Sequence, residues 1–192
     1  MKNLNKSEFI EAAAKVIPLM VNEWNNNKLA IFEELNEQSF ATYFKGRQTQ
    51  EKTKQVAPIL DSIFARMIQT EITGFMVDEG VGRDYGYRGT PIECKITFGA
   101  GNGWTGNGYS KTPWHLLMRF ELNEDGEIIK SFAMITNLNN CISQWTAPGT
   151  TSNFSTLKFL SLDIDQLTVI VGTITDKTKS GKSGKYILPV MI

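Results

Sequence analysis

Two carboxylates and one lysine lie close together in the segment 82–98, which reads GRDYGYRGTPIECKITF. Polar and apolar residues alternate over its second half, so Glu93 and Lys95 are predicted to share one face of a strand whose other face is apolar. Asp84 precedes them, with a turn signal between. Paired acids beside a lysine are suited to metal-assisted hydrolysis.

A hairpin would bring the three groups together. If residues 89–90 form a two-residue turn, the register pairs Asp84 with Lys95 and leaves Asp84 diagonal to Glu93. Opposed side chains in such a ladder lie about 5 Å apart and diagonal ones about 7–8 Å. In the same register Gly86 lies opposite Glu93 and leaves room there for an ion and water. A different turn would change this geometry.

The chemistry that suits these groups is that of Mg²⁺. Two carboxylates on one face repel each other unless a cation intervenes. Oxygen ligands suit Mg²⁺, which needs few protein ligands and keeps several waters. Bound there, Mg²⁺ would polarise a phosphodiester, and Lys95 would position water or stabilise the transition state.

The whole-chain composition narrows the setting of this site. The 192 residues are most simply one domain, and no apolar stretch is long enough to span a bilayer or to form a secretory signal. With two cysteines and one histidine, the chain lacks the residues for a disulfide framework or a zinc cluster, which favours a reducing cytoplasm. The net charge of zero argues against a protein that simply coats nucleic acid, although it allows a nuclease.

The elements that would position the site fall into two regions. Residues 1–72 are predicted to be mainly helical, and residues 74–192 to form a sheet. The first helix is predicted to begin at Ser7 and to bend or split at Pro18. Further helices are predicted at 29–43 and after Pro58.

Strands are predicted at 84–88, 92–98, 114–122, 128–136, 167–173 and 186–192, with a hairpin turn at 123–126. The predicted architecture is α/β (α+β), with a helical N-terminal layer packed on a mixed sheet. Two buried structural roles are expected, for the Cys94 thiol and for His115.

The pattern of Asp84 followed by Glu93-Cys94-Lys95 resembles the PD-(D/E)XK nuclease motif of most type II restriction endonucleases. The resemblance implies a restriction-endonuclease-like mixed sheet flanked by helices. It also implies that Asp84, Glu93 and the main-chain carbonyl of Cys94 bind metal, and that Lys95 assists the attacking water. Arg83 stands where the motif has proline, which leaves Asp78 as an alternative first acid.

Some relatives add a glutamate from a helix, and Glu33 is the candidate here. The order of predicted helices, strands and the glycine-rich loop resembles that of the family over roughly residues 30–140. The specific motif is confined to Asp84, Glu93 and Lys95.

DNA would be read by the glycine-rich loop 99–113, which follows the motif directly. Its five glycines allow close backbone approach, and its amide, aromatic and basic side chains suit base edges, stacking and phosphates. The candidate DNA-binding residues are Asn102, Trp104, Asn107, Tyr109 and Lys111. A surface loop packed by its own aromatics is the alternative. The hydroxyl, amide and aromatic side chains of residues 144–158 would serve phosphates or base edges, or simply form an ordered turn. The lysines of 177–185 would form a phosphate-facing loop or merely a solvated one.

The resemblance implies a type II restriction endonuclease: a Mg²⁺-dependent hydrolase of double-stranded DNA, specific for a short sequence and leaving 5′-phosphate ends. Cutting both strands calls for a homodimer, with the N-terminal helices as the predicted contact, and a cognate DNA methyltransferase as functional partner. Two alternatives stay open. One is a structure-selective repair or recombination nuclease of the same fold, and the other a β-rich binding protein without catalytic activity.

Overall fold

The computed structural model describes residues 6–35, 49–77, 84–99, 114–137 and 167–172, together with the backbone of four short strands. Side chains are described at 7–31, 54–77, 84–99, 114–137 and 168–172. The predicted strand at 186–192 overlaps this part of the chain only at its first residue.

Two helices are described, α1 (Lys6–Leu35) and α2 (Thr49–Glu71). Of the two outcomes predicted at Pro18, a bend or a split, the split is wrong, because α1 runs through this residue. The lost backbone hydrogen bond is outweighed by the burial of Ile17 and Met20 on either side. A separate helix beginning at residue 29 is also wrong: Leu29 continues α1 and is 54% exposed, so it marks no buried face. Neither helix has the length and apolar character of a membrane span.

The strands are β1 (Phe75–Val77), β2 (Tyr85–Tyr87), β3 (Thr90–Phe98), β4 (Gly106–Asn107), β5 (Trp114–Leu122), β6 (Ile128–Asn137), β7 (Asn153–Phe154), β8 (Leu167–Val171), β9 (Ile174–Lys177) and β10 (Ser183–Tyr186). Five of the six predicted strands are confirmed to within two residues at each end. The main sheet has the order β1-β2-β3-β5-β6-β8. It is mixed, because β3 and β5 are parallel while the other neighbours are antiparallel.

Both helices pack on one face of this sheet, and that face is the core. Residues alternate along β3 and β5 so that Ile92, Cys94, Leu116 and Met118 point towards the helices. The α1 residues buried against them are Phe9, Ala12, Ala13, Val16, Ile17, Met20 and Trp24. The motif residues Glu93 and Lys95 therefore point to the opposite face, as the sequence predicts.

The C-terminal half of α1 is hydrogen-bonded to the β5–β6 hairpin. Trp24, which is fully buried, donates from Nε1 to the Gly126 carbonyl at 2.9 Å. Asn25 makes two bonds to Ile128, donating to its carbonyl at 3.0 Å and accepting from its amide at 2.7 Å. The Asn25 side chain thus occupies the place of a neighbouring strand and satisfies both backbone groups of Ile128.

Replacing Asn25 with alanine is expected to lower the free energy of unfolding by about 2–3 kcal/mol, because both Ile128 backbone groups lose their partners. Chemical denaturation of the two proteins measures this difference. The neighbouring and exposed Asn26 supplies the control. A loss of stability in Asn26→Ala as large as that in Asn25→Ala would contradict the role given to Asn25.

Gly172 ends β8 with a φ of 84°, and a Cβ built there would lie 2.2 Å from the Ser131 carbonyl oxygen. We expect Gly172→Ala to lose about 3 kcal/mol or more of stability, because β8 must move away from β6. Gly99, with a φ of 95° and open space at the Cβ position, is the matched control and should cost about 1–2 kcal/mol as alanine. Equal melting temperatures for the two variants would show that the backbone clash is relieved at no cost.

Candidate active site

The hairpin of β2 and β3 turns at Arg88 and Gly89, whose φ angles are 49° and 80°. Positive φ at both turn residues is typical of a type I′ hairpin. The prediction that residues 89 and 90 form the turn is therefore wrong. Thr90 is β-branched and disfavours positive φ, so it begins β3 instead. The side chain of Arg88 is held in place by Glu8 of α1, 3.0 Å away.

The observed register pairs Tyr85 with Ile92 and Gly86 with Pro91. The predicted pairings of Gly86 with Glu93 and of Asp84 with Lys95 are thus wrong by two residues. Asp84 lies directly before β2, outside this ladder. A register error of two residues does not change the face of a strand, and the Asp84 carboxylate lies beside Lys95 as predicted, with its Oδ2 4.0 Å from the ammonium group.

Asp84 is fixed to the backbone of β3 by two hydrogen bonds. Its amide donates to the Ile92 carbonyl at 3.1 Å, and its Oδ2 accepts from the Cys94 amide at 2.6 Å. The Cys94 amide lies between Glu93 and Lys95 in sequence, so this second bond holds the Asp84 carboxylate beside both side chains.

Lys95 completes the cluster. Its ammonium group hydrogen-bonds Oε1 of Glu93 and lies 4.0 Å from Oδ2 of Asp84. The exposed fraction of the side chain is 39% for Asp84, 26% for Lys95 and 10% for Glu93. The three predicted residues are therefore together, at a site that is open on the Asp84 side and closed around Glu93.

The second oxygen of Glu93 is the unusual atom of this site. Oε2 is buried and has no hydrogen-bond partner. Buried carboxylate oxygens are nearly always hydrogen-bonded or bound to a cation, since burial without a partner costs several kcal/mol. The atom is thus suited to receive a cation or a hydrogen-bond donor that completes the site.

A third carboxylate reaches the same strand from the helix side. Asp61 of α2 accepts a hydrogen bond from the Tyr85 hydroxyl and interacts with the thiol of Cys94. Burial raises the pKa of Asp61, and the negative charge of Asp84 raises it further. Burial also raises the pKa of the Cys94 thiol, and Cys94 is buried in the core as the sequence predicts.

The sequence reading missed Asp61, although a signal was present. It lies on the stripe of α2 that also carries Leu60, Phe64 and Ile68, all fully buried. An acid on the apolar stripe of a helix needs a partner in the core, so this position indicates a buried carboxyl group with a specific contact. Glu33, the predicted helix acid, and Asp78, the alternative first acid, lie outside the described side chains.

Replacing Asp61 with asparagine separates stability from function. The neutral side chain avoids the cost of burying a charge and can still accept from Tyr85, so we expect a higher melting temperature. If the cluster is catalytic and Asp61 supports it, we expect activity to fall about 10–100-fold in the same variant. Asp125→Asn in the exposed β5–β6 turn is the control for the change of charge. Unchanged activity in Asp61→Asn would assign Asp61 to the core alone.

No cluster of three or more histidine, cysteine, aspartate or glutamate side chains placed to hold a metal ion occurs within the described ranges. The donor set on the outer face is two carboxylates, Asp84 and Glu93, with the Cys94 carbonyl on the same strand. Such a set fits Mg²⁺, which retains waters, better than a metal that requires a closed protein cage.

The side chains of the predicted DNA-binding residues all lie outside the part of the chain that the structure describes. Asn107 lies in β4, which pairs with β7, but its side chain is outside the described set. The same holds for the side chains of Asn102, Trp104, Tyr109 and Lys111.

Comparisons with family models, with curated proteins and with solved structures returned no match to this chain. The assignment of function therefore depends on the site itself.

Proposed function

We propose that this protein is a type II restriction endonuclease, with the restriction-endonuclease-like fold, that hydrolyses double-stranded DNA at a short specific sequence in the presence of Mg²⁺. The observation that supports the proposal is the cluster of Asp84, Glu93 and Lys95 around a buried carboxylate oxygen without a partner. Two structural explanations fit the cluster less well. An ordinary surface ion pair would leave Glu93 exposed, and a purely structural core residue would not lie beside a partly exposed lysine and aspartate.

Asp84, Glu93 and the carbonyl of Cys94 would hold the metal. Both carboxylates fit this role: Asp84 is partly exposed and fixed to β3, and Glu93 has a buried oxygen free to bind. Bound Mg²⁺ supplies Lewis acidity, which polarises the phosphodiester and lowers the pKa of a coordinated water.

Lys95 acts on the reacting phosphate. In the present arrangement its ammonium group neutralises Glu93 and lies near Asp84. Once a cation neutralises those carboxylates, the ammonium group can donate to the attacking water or to a phosphate oxygen. A fixed positive charge at that position stabilises the negative charge that develops in the transition state.

The proposal extends to the assembly and its setting. Two active sites are needed to cut both strands of a symmetric site, so we propose a homodimer in the cytoplasm that acts with a cognate DNA methyltransferase. At each cut the 3′-oxygen would be the leaving group, so the ends would carry 5′-phosphates. The contact would involve the N-terminal helices. Leu19 and Leu29 of α1 are 50% and 54% exposed and are apolar surface that a partner subunit could cover.

The test is digestion of plasmid and phage DNA with the purified protein and Mg²⁺, with an EDTA control. Discrete bands that require Mg²⁺ are expected, and their ends should be substrates for ligation without prior phosphorylation. A Mg²⁺-dependent smear would replace the proposal with a repair or recombination nuclease. Intact DNA across several substrates and divalent metals would overturn it in favour of a binding protein.

A further inference from the structure

Buried polar residues on this sheet are arranged in a row. Among the described residues, four polar or charged residues are buried: Thr90, Glu93, His115 and Thr136. Three of them are direct neighbours across adjacent strands, because β3 pairs Glu93 with His115 and β6 pairs Thr136 with His115.

The row lies on the face of the candidate active site. Partners in register on neighbouring strands point to the same side, and neighbouring strands are about 4.8 Å apart. The residues that flank the row, Ile92, Cys94, Leu116 and Ile135, point into the helix-side core. His115, which is 2% exposed, therefore lies beside Glu93 and on its side of the sheet.

Glu93 needs such a neighbour. A carboxylate that binds a metal through one oxygen is ordinarily oriented by a hydrogen bond to the other, and loss of that bond typically weakens metal binding 10–100-fold. In the proposed metal site the unpartnered buried oxygen of Glu93 would bind the metal, and Lys95 would leave the other oxygen for the reacting phosphate. That other oxygen then needs a new hydrogen-bond donor. The register partner of Glu93 on β5 is His115, whose ring carries an N–H group.

We infer that His115 is a positioning residue, which donates a ring N–H to the Glu93 carboxylate in the Mg²⁺-bound protein, and that Thr136 orients the imidazole from the opposite side. The inference rests on the proposed metal site. It extends that site from β3 across β5 to β6 and gives the buried histidine a role beyond packing.

The first experiment measures Mg²⁺ binding to the protein alone by calorimetry. We expect the dissociation constant to rise about 10–100-fold in His115→Phe and to be largely restored in His115→Gln, which keeps a donor. Thr136→Val should weaken binding by less than tenfold. Thr90→Val removes the hydroxyl of a buried threonine outside the row and is the matched control, with binding unchanged.

The second experiment needs no substitution at the histidine. The chain has a single histidine, so in untagged protein the imidazole ¹⁵N signals belong to His115 without further assignment. Saturation with Mg²⁺ is expected to shift the signal of the ring N–H that faces Glu93. The shift should be lost in Glu93→Gln.

The outcomes separate this inference from the proposed function. Wild-type protein that binds Mg²⁺ but shows no change in the His115 signals, or equal affinity in wild type and His115→Phe, would overturn the inference and leave the metal site intact. Wild-type protein that binds no Mg²⁺ would overturn both. The imidazole measurement still decides the question if His115→Phe does not fold.

Discussion

Replacing Lys95 with alanine is expected to reduce Mg²⁺-dependent DNA cleavage by at least about 10²–10³-fold, the usual effect of removing a fixed group that stabilises transition-state charge. The substitution also removes the cation between Glu93 and Asp84. The bare carboxylates then repel each other, so the variant should bind Mg²⁺ at least as tightly as the wild type. A single-turnover cleavage assay at saturating Mg²⁺ measures the loss, and calorimetry measures the binding.

Lys130→Ala is the matched control for this experiment. Lys130 also forms an ion pair from a strand of the main sheet, with Glu121 at 2.7 Å, but its side chain is 71% exposed. Its replacement should change neither cleavage nor metal binding. Full cleavage by Lys95→Ala would refute the catalytic role of the lysine and reduce the cluster to a structural ion pair.

Asp84→Asn is the second change with a large expected effect. The asparagine oxygen can still accept from the Cys94 amide, so the hairpin should keep its geometry and its stability. The loss of one negative charge from the two carboxylates of the proposed metal site should weaken Mg²⁺ binding strongly and lower cleavage by about 10²–10³-fold.

Asp84→Ala separates the two contributions of this side chain, because it removes both the charge and the acceptor. We expect it to lose as much activity as Asp84→Asn and, in addition, about 1–2 kcal/mol of stability, since the Cys94 amide loses its partner. Thermal unfolding of the two variants shows the difference. Substantial cleavage by Asp84→Asn would mean that another acid supplies the first metal ligand, and Asp78 would then be the residue to test.

The sequence predicted the cluster because the cluster is local. Asp84 and Lys95 are joined by one short hairpin, and an error of two residues in its register does not change the face on which a side chain lies. An error of one residue would have placed Asp84 in the core. The correct turn was also accessible from composition, since glycine suits the second position of a type I′ turn and threonine does not.

The remaining parts of the site depend on contacts that no local pattern contains. Asp61 meets Tyr85 and Cys94 only because α2 packs across β3. His115 meets Glu93 through a parallel pairing, which requires a crossover connection and leaves no turn signal. The helix boundaries were misjudged for a related reason: burial around Pro18 outweighs the local preference of proline to end a helix.

The bonds between Trp24, Asn25 and the β5–β6 hairpin join residues more than a hundred positions apart in the chain. On a ribosome, α1 is synthesised well before the backbone groups that Trp24 and Asn25 must meet. Until then its apolar stripe lacks its native partners, a condition that slows folding and favours association with other chains. Synthesis of this protein is therefore expected to depend on chaperones that shield nascent helices, and the yield of soluble protein should rise when translation is slowed by low temperature.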